Sequence, residues 1–166
     1  KGIVHYYEWR VKVFENSIYA SGRDISDLIM TREKLEYYHN RDALTGMYQR
    51  SFIQSSSEAM VLPYQLPLSV IFVDLNGLKL INDSYGHDQG DELLRTISQK
   101  MLSYQREGDI FVRYGGDEFV LLLPYTSYDV ASSLADKIKN SDTLKISGRF
   151  PSEWVSISLG VATKIG

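Results

Sequence analysis

Cysteine is absent from this 166-residue chain, which excludes disulfides and thiolate zinc sites. A reducing, cytoplasmic setting fits that absence. A basic excess is missing too, since 18 Lys and Arg stand against 21 Asp and Glu, for a net charge of −3. General binders of nucleic-acid polymers or anionic membranes are ordinarily basic, so neither class is favoured. A small phosphorylated ligand, held by glycines, local cations and a metal, stays open. Long hydrophobic runs are also lacking. The longest, "LSVIFV" (68–73) and "FVLLL" (119–123), fall far short of the roughly 20 residues a membrane span needs. No signal peptide opens the sequence, and no internal repeat or low-complexity segment interrupts it.

What is present is the composition of an ordinary globular domain, 43% hydrophobic and 23% charged. The length allows one domain with a substantial core plus a short appendage. The chain opens on Lys1, so it reads as part of something larger. Residues 3–20 alternate Tyr7, Trp9, Val11 and Val13 with a second face, and "ENS" supplies a turn, so a β-hairpin is expected there. A lone hairpin is marginal in water and should pack on something. Ile25, Leu28, Ile29 and Leu35 then recur at helical spacing, with Asp24 or Ser26 placed to cap a connecting helix. A second helix is expected over 47–59, before the loop "LPYQLP". "LSVIFVDL" is apolar on both faces and reads as a central strand. "GDELLRTISQKMLSYQ" sets Leu94, Ile97, Met101 and Tyr104 on one helical face. "DIFVRY" and "EFVLLLPY" flank a Gly-Gly turn as an antiparallel hairpin. A helix through Val130, Leu134 and Ile138 follows, and then a half-buried strand carrying Val155, Ile157, Leu159 and Val161. The sum is an α/β (α+β) fold with a mainly antiparallel sheet flanked by helices.

The chemistry centres on carboxylates. Asp74 ends an apolar run, where an uncompensated charge is costly, and Asp117 and Glu118 stand beside a second run. If the two strands are neighbours, three carboxylates converge at one sheet edge. Hard oxygen donors at that density suit Mg²⁺, and metal held there serves phosphoryl transfer. Gly115 and Gly116 let the backbone approach a phosphate or sugar closely. The alternative is a plain Gly-Gly turn with solvated acids.

"YGGDEF" resembles the signature of the GGDEF domains, the diguanylate cyclase family. "DLNGLKLINDSYGHDQGDELL" resembles that family's other long motif, "NRDALTGMYQR" its "D-x-LTGL-x-NR" segment, and "SISLGVA" its late strand. These occur in the family's order, over roughly residues 42–162. The resemblance implies that Asp74, the Leu75 carbonyl and Asp117 hold Mg²⁺ (or Mn²⁺), with Glu118 assisting and Asp117 accepting a proton. Asn82 and Asp91 would read the guanine edge with His87 close by, and Lys79 would sit near the polyphosphate or balance the acids. One carboxylate can accept from guanine N1–H and its 2-amino group together, a donor pair adenine lacks. Loop chemistry and helix capping are the alternatives for Asn82, His87 and Asp91. The implied reaction condenses two GTP into cyclic di-GMP across a homodimer.

"REGD" resembles the family's "RxxD" product-inhibition site, with Arg106 and Asp109 as ligands for cyclic di-GMP. A loop ion pair is the alternative. "YYEWRVKVFENSIYASGRDISD" resembles the last two strands and exit of a PAS sensor domain. The expected organisation is therefore a PAS tail over 1–24, a signalling helix over 25–41 and the catalytic domain over 42–166. The family's further helix and basic "K-x-x-G-R" segment have no counterpart before Gly166, so the catalytic domain is expected to lack its C-terminal end. The rival function is a non-catalytic module that binds GTP or cyclic di-GMP.

Overall fold

The computed structural model of the chain describes residues 4–54, 66–141, 151 and 154–165. They fall into two compact units, residues 1–39 and 40–166.

In the first unit, β1 (Tyr7–Phe14) and β2 (Ser17–Asp24) form the expected antiparallel hairpin, with Tyr7 opposite Asp24 and Phe14 opposite Ser17. The turn falls on "ENS", where Glu15 takes a left-handed φ of 51°. Every residue of both strands is exposed. Helix α1 (Ser26–Asn40) follows directly. Of the two candidate caps, Asp24 Oδ1 accepts from the Ser26 N–H at the helix start, whereas Ser26 Oγ accepts from the Tyr6 N–H outside the helix, each at 2.9 Å. Ile25 and Ile29 are half-buried, whereas Leu28 and Leu35 are exposed, so the apolar stripe is not continuous.

The second unit is built on a five-stranded sheet in the order β3-β5-β6-β4-β7. Its strands are β3 (Tyr48–Gln49), β4 (Leu68–Asn76), β5 (Ile110–Arg113), β6 (Glu118–Leu123) and β7 (Ser156–Lys164). Only the short β3–β5 pairing is parallel; β4 lies centrally between β6 and β7, antiparallel to both. Alternation sends Ile71, Val73 and Leu75 of β4, Phe119, Leu121 and Leu123 of β6, and Ile157 of β7 into one buried cluster. Helices α2 (Leu78–Tyr85), α3 (His87–Leu102) and α4 (Tyr128–Lys139) complete that cluster with Ile81, Leu93, Ile97, Met101, Ala131, Ala135 and Ile138.

Some details differ from expectation. Met47 is buried ahead of the two-residue strand β3, and helix begins only at residue 50; residues 55–59 of the expected helix lie outside the described residues. Tyr104 packs on the core from just past the end of α3. In α4 the buried face runs through Ala131, Ala135 and Ile138, and Val130 is 53% exposed. Alanines let α4 sit close to the sheet, and Val130, one position away, turns out of the core.

The Gly-Gly hairpin is tied to the start of this unit by Arg113. Its Nη1 donates to both Asp42 oxygens at 3.1 and 3.3 Å, and its Nε and Nη2 donate to the Gly116 carbonyl at 3.3 and 2.7 Å. Asp42 Oδ1 also accepts from the Thr45 N–H and hydroxyl at 2.9 and 2.7 Å. Burial alone would raise the Asp42 carboxyl, but the Thr45 hydrogen bonds and the Arg113 charge outweigh it and hold its pKa below the ordinary value. The Arg113 and Asp42 side chains are only 16% and 24% exposed, so little solvent screens the pair. Arg113→Met should therefore lower stability by about 2 kcal/mol in urea unfolding, less than a fully buried pair would lose. Because the Asp42 pKa is lower folded than unfolded, its contribution is complete above about pH 4 and is lost as the pH falls through the lower folded value. Asp42→Asn should flatten that acid limb of the stability curve.

Candidate functional site

The β4–β6 register sets Asp74 directly opposite Glu118. One step on, the Leu75 N–H donates to the Asp117 carbonyl at 2.9 Å. Since hydrogen-bonded and non-hydrogen-bonded pairs alternate along an antiparallel ladder, Asp74 and Glu118 form the non-bonded pair, whose side chains stand closest. Both are half-buried, and like charges directly opposed are destabilising. Among the described residues neither they nor Asp117 form an ion pair with Lys or Arg.

Glu118 also closes the hairpin. Its carbonyl accepts from the Tyr114 and Gly115 N–H groups at 2.8 and 3.1 Å. Its side chain folds back over Gly115, where an added Cβ would lie 2.5 Å from Glu118 Oε2. A side chain at 115 would have to displace the Glu118 carboxylate. Gly116 is exposed, and its carbonyl is the one held by Arg113.

Among the described residues no three His, Cys, Asp or Glu side chains are gathered closely enough to hold a metal ion. The expected convergence of three carboxylates is therefore reduced to an opposed pair. Asp117 and Glu118 are sequence neighbours, so Asp117 shares the parity of Leu75 and not that of Asp74. The donor set still fits a divalent cation by its chemistry: two opposed carboxylates with no basic partner, and a third one residue away.

Beyond Asp74 the chain passes from β4 into α2 and, through Gly86, into α3. At this corner Asn82 of α2 meets α3. The Asn82 amide packs so tightly against Gly90 that a Cβ at 90 would collide with Asn82 Oδ1. Asp91 follows Gly90, half-buried like Asn82. It is the fifth residue of α3, whose first-turn acid is Asp88, so capping does not account for it. His87, the first residue of α3, and Lys79, in the first turn of α2, are both exposed.

Arg106 and Asp109 lie at the far end of the β5–β6 hairpin, just before β5. The Asp109 side chain is 3% exposed and accepts from the Arg106 N–H, Nε and Nη2 at 2.9, 3.2 and 3.1 Å. The hydrogen bond from Arg106 fixes the guanidinium's charge still more firmly, holding its pKa above the ordinary value. Asp109 thus spends three acceptor positions on Arg106. The Arg106 side chain is 55% exposed and borders two grooves. One, of about 390 Å³, is lined by Thr126, Val130, Ser133 and Lys137 among others. The other, of about 260 Å³, runs along Glu107, Gly108, Pro124 and Tyr125. Arg113, Thr126 and Lys137 were not singled out from sequence. The position of Arg113 immediately before "YGGDEF" was the available signal.

Comparison with known proteins bears on the family and the fold. The family model "Diguanylate cyclase, GGDEF domain" matches residues 39–165. Diguanylate cyclase DgcM of Escherichia coli (strain K12) is 39% identical over 145 residues, covering 84% of this chain and 34% of its own length. Cyclic di-GMP phosphodiesterase PdeR of the same organism is 32% identical over 144 residues, covering 86% of this chain and 22% of its own. This chain therefore spans about a third of the first relative and less than a quarter of the second. The coiled coil and GGDEF domain of DgcB from Caulobacter crescentus, solved with c-di-GMP, superposes with a TM-score of 0.71 over 84% of this chain and 77% of that one. At 20% identity, that likeness is one of fold. With its ordered motifs on one mixed sheet and the helices that follow β4, and a family match from the end of α1 to residue 165, the chain belongs to the diguanylate cyclase GGDEF domain family.

Proposed function

We propose that this chain is a diguanylate cyclase that condenses two GTP into cyclic di-GMP and two pyrophosphates as a homodimer. The observation that carries this reading is the register of β4 against β6. It opposes Asp74 and Glu118 at the mouth of a Gly-Gly hairpin, and among the described residues neither is ion-paired with Lys or Arg.

Asp74, the Leu75 carbonyl, Asp117 and Glu118 would hold Mg²⁺, or Mn²⁺, which when bound supplies positive charge at the reacting phosphate. Gly115 and Gly116 leave room for the nucleotide to lie against the backbone. Asn82 and Asp91 read the guanine edge, the carboxylate accepting from two donors at once, with His87 at the rim. Lys79 stands toward the polyphosphate. In the reaction a 3′-oxygen forms a bond to the α-phosphorus of the facing GTP and the bond to pyrophosphate breaks. The hydroxyl proton passes to Asp117. Each domain carries one GTP, so two copies are needed to set both attacks in line. Arg106, with Asp109 behind it, binds the product and restrains turnover. The residues before α1 read as a PAS tail and α1 as the signalling helix, in a cytoplasmic catalytic module.

A second reading, a module that binds cyclic di-GMP without making it, draws on one observation. The 390 Å³ groove lies at Arg106 and not at the acidic edge.

Incubation with GTP and Mg²⁺, followed by chromatography with mass detection, should yield cyclic di-GMP and pyrophosphate. Asp117→Asn should remove product while leaving cyclic di-GMP binding intact; product surviving that change would sink the mechanism. Asp91→Asn, which trades one acceptor for a donor, should raise the KM for GTP at least tenfold, as expected when a buried hydrogen-bond match is lost. Arg106→Ala should relieve inhibition by added product, read from progress curves.

A further inference from the structure

Arg106 is gripped by more than Asp109. Its Nη2 also donates to Thr126 Oγ1 at 2.7 Å, across 20 residues of chain. Thr126 is 2% exposed. It directly precedes Ser127, the N-cap of α4, a position where a threonine reads as helix-start chemistry. Its hydroxyl turns elsewhere, donating to the Pro124 carbonyl at 2.9 Å. With its single proton committed there, the hydroxyl meets Arg106 as an acceptor.

Thr126 is itself immobilised. Its N–H donates to the Pro67 carbonyl at 2.7 Å, and its carbonyl accepts from Ser69 Oγ at 2.7 Å. Ser69 is fully buried on β4, and its oxygen accepts in turn from Thr163 Oγ1 on β7 at 2.6 Å. The acceptor offered to Arg106 is thus anchored to the centre of the sheet. Nε and Nη2 are consumed by Asp109 and Thr126, and both N–H groups of Nη1 lack a partner among the described residues. A guanidinium held on one side, with the other open to two grooves, is prepared for a planar or anionic acceptor.

We infer that Thr126 is a positioning residue for the ligand site at Arg106, fixing the guanidinium plane so that Nη1 faces the cyclic dinucleotide. This rests on the reading of Arg106 as the product site. Prior ordering spares the ligand the entropy of freezing a long side chain, so Thr126 raises affinity by acting through Arg106.

The test is calorimetric titration of cyclic di-GMP into the wild-type chain, Arg106→Ala, Thr126→Val and Thr126→Ser. Valine keeps the branched shape and removes the acceptor; serine keeps the hydroxyl. The expected result is about a tenfold loss in Thr126→Val, the scale of a hydrogen bond to a charged group, and near wild-type affinity in Thr126→Ser. Wild-type affinity in Thr126→Val alongside lost binding in Arg106→Ala would overturn the role of Thr126 and leave the product site standing. Unchanged binding in Arg106→Ala would overturn the product site and this inference with it. Equal loss in the serine and valine variants would assign Thr126 to packing, against the inference. Side-chain NMR of the ligand-free wild type gives an answer that does not depend on any variant folding. Restricted rotation of the Arg106 Nη groups is expected, and free rotation would overturn the inference.

Discussion

The pairing of β4 with β6 is the constraint on which the rest depends. Side-chain direction has a period of two along a strand, so a slip of one residue would expose every core side chain of one strand. Ile71, Val73, Leu75, Phe119, Leu121 and Leu123 all sit in the core cluster in the observed register. Each contributes about 1.5–3 kcal/mol on burial. Opposing Asp74 to Glu118 costs about 0.2–1 kcal/mol. The core wins by a wide margin, and the acidic pair is held in place by hydrophobic side chains that take no part in its chemistry.

How far the sequence revealed this varied with the range of the interaction. The central strand, the two hairpins and the capped helix were legible because their signals are local: an apolar run, alternation, Gly-Gly, a cap residue. That β4 and β6 are neighbours was only a condition in the sequence; the register that opposes Asp74 to Glu118 needed the fold. Strand β3, at two residues, is too short to carry a period, and its parallel partner is more than 60 positions away. The grip of Arg113 on Asp42 spans 71 positions, and that of Arg106 on Thr126 spans 20. Each is a polar contact with no periodic trace. Val130 was misassigned because alanines also form apolar faces, and spacing alone favoured the larger residue.

Arg106 and Asp109 lie at one end of the β5–β6 hairpin, and Gly115 to Glu118 at the other. The two are separated by the length of β6, roughly 15–20 Å at the usual rise per residue. Arg113 ties the hairpin tip to the start of the domain, and Thr126 ties its base to the middle of the sheet. Both proposed sites are therefore fastened to one stiff ribbon by arginines that each use two kinds of acceptor, a carboxylate and a neutral oxygen.

The carboxylate resting over Gly115 has a consequence for how such a domain changes over time. A methyl group at 115 meets the far end of a flexible side chain, so Glu118 moves aside and the strands beneath it stay as they are. The loss falls on the acidic edge alone. Nothing in the core, the Arg113 tie or the grooves at Arg106 depends on that side chain's position. On the proposed reading, one carbon atom at the hairpin tip separates a domain that makes a signal from one that only reads it.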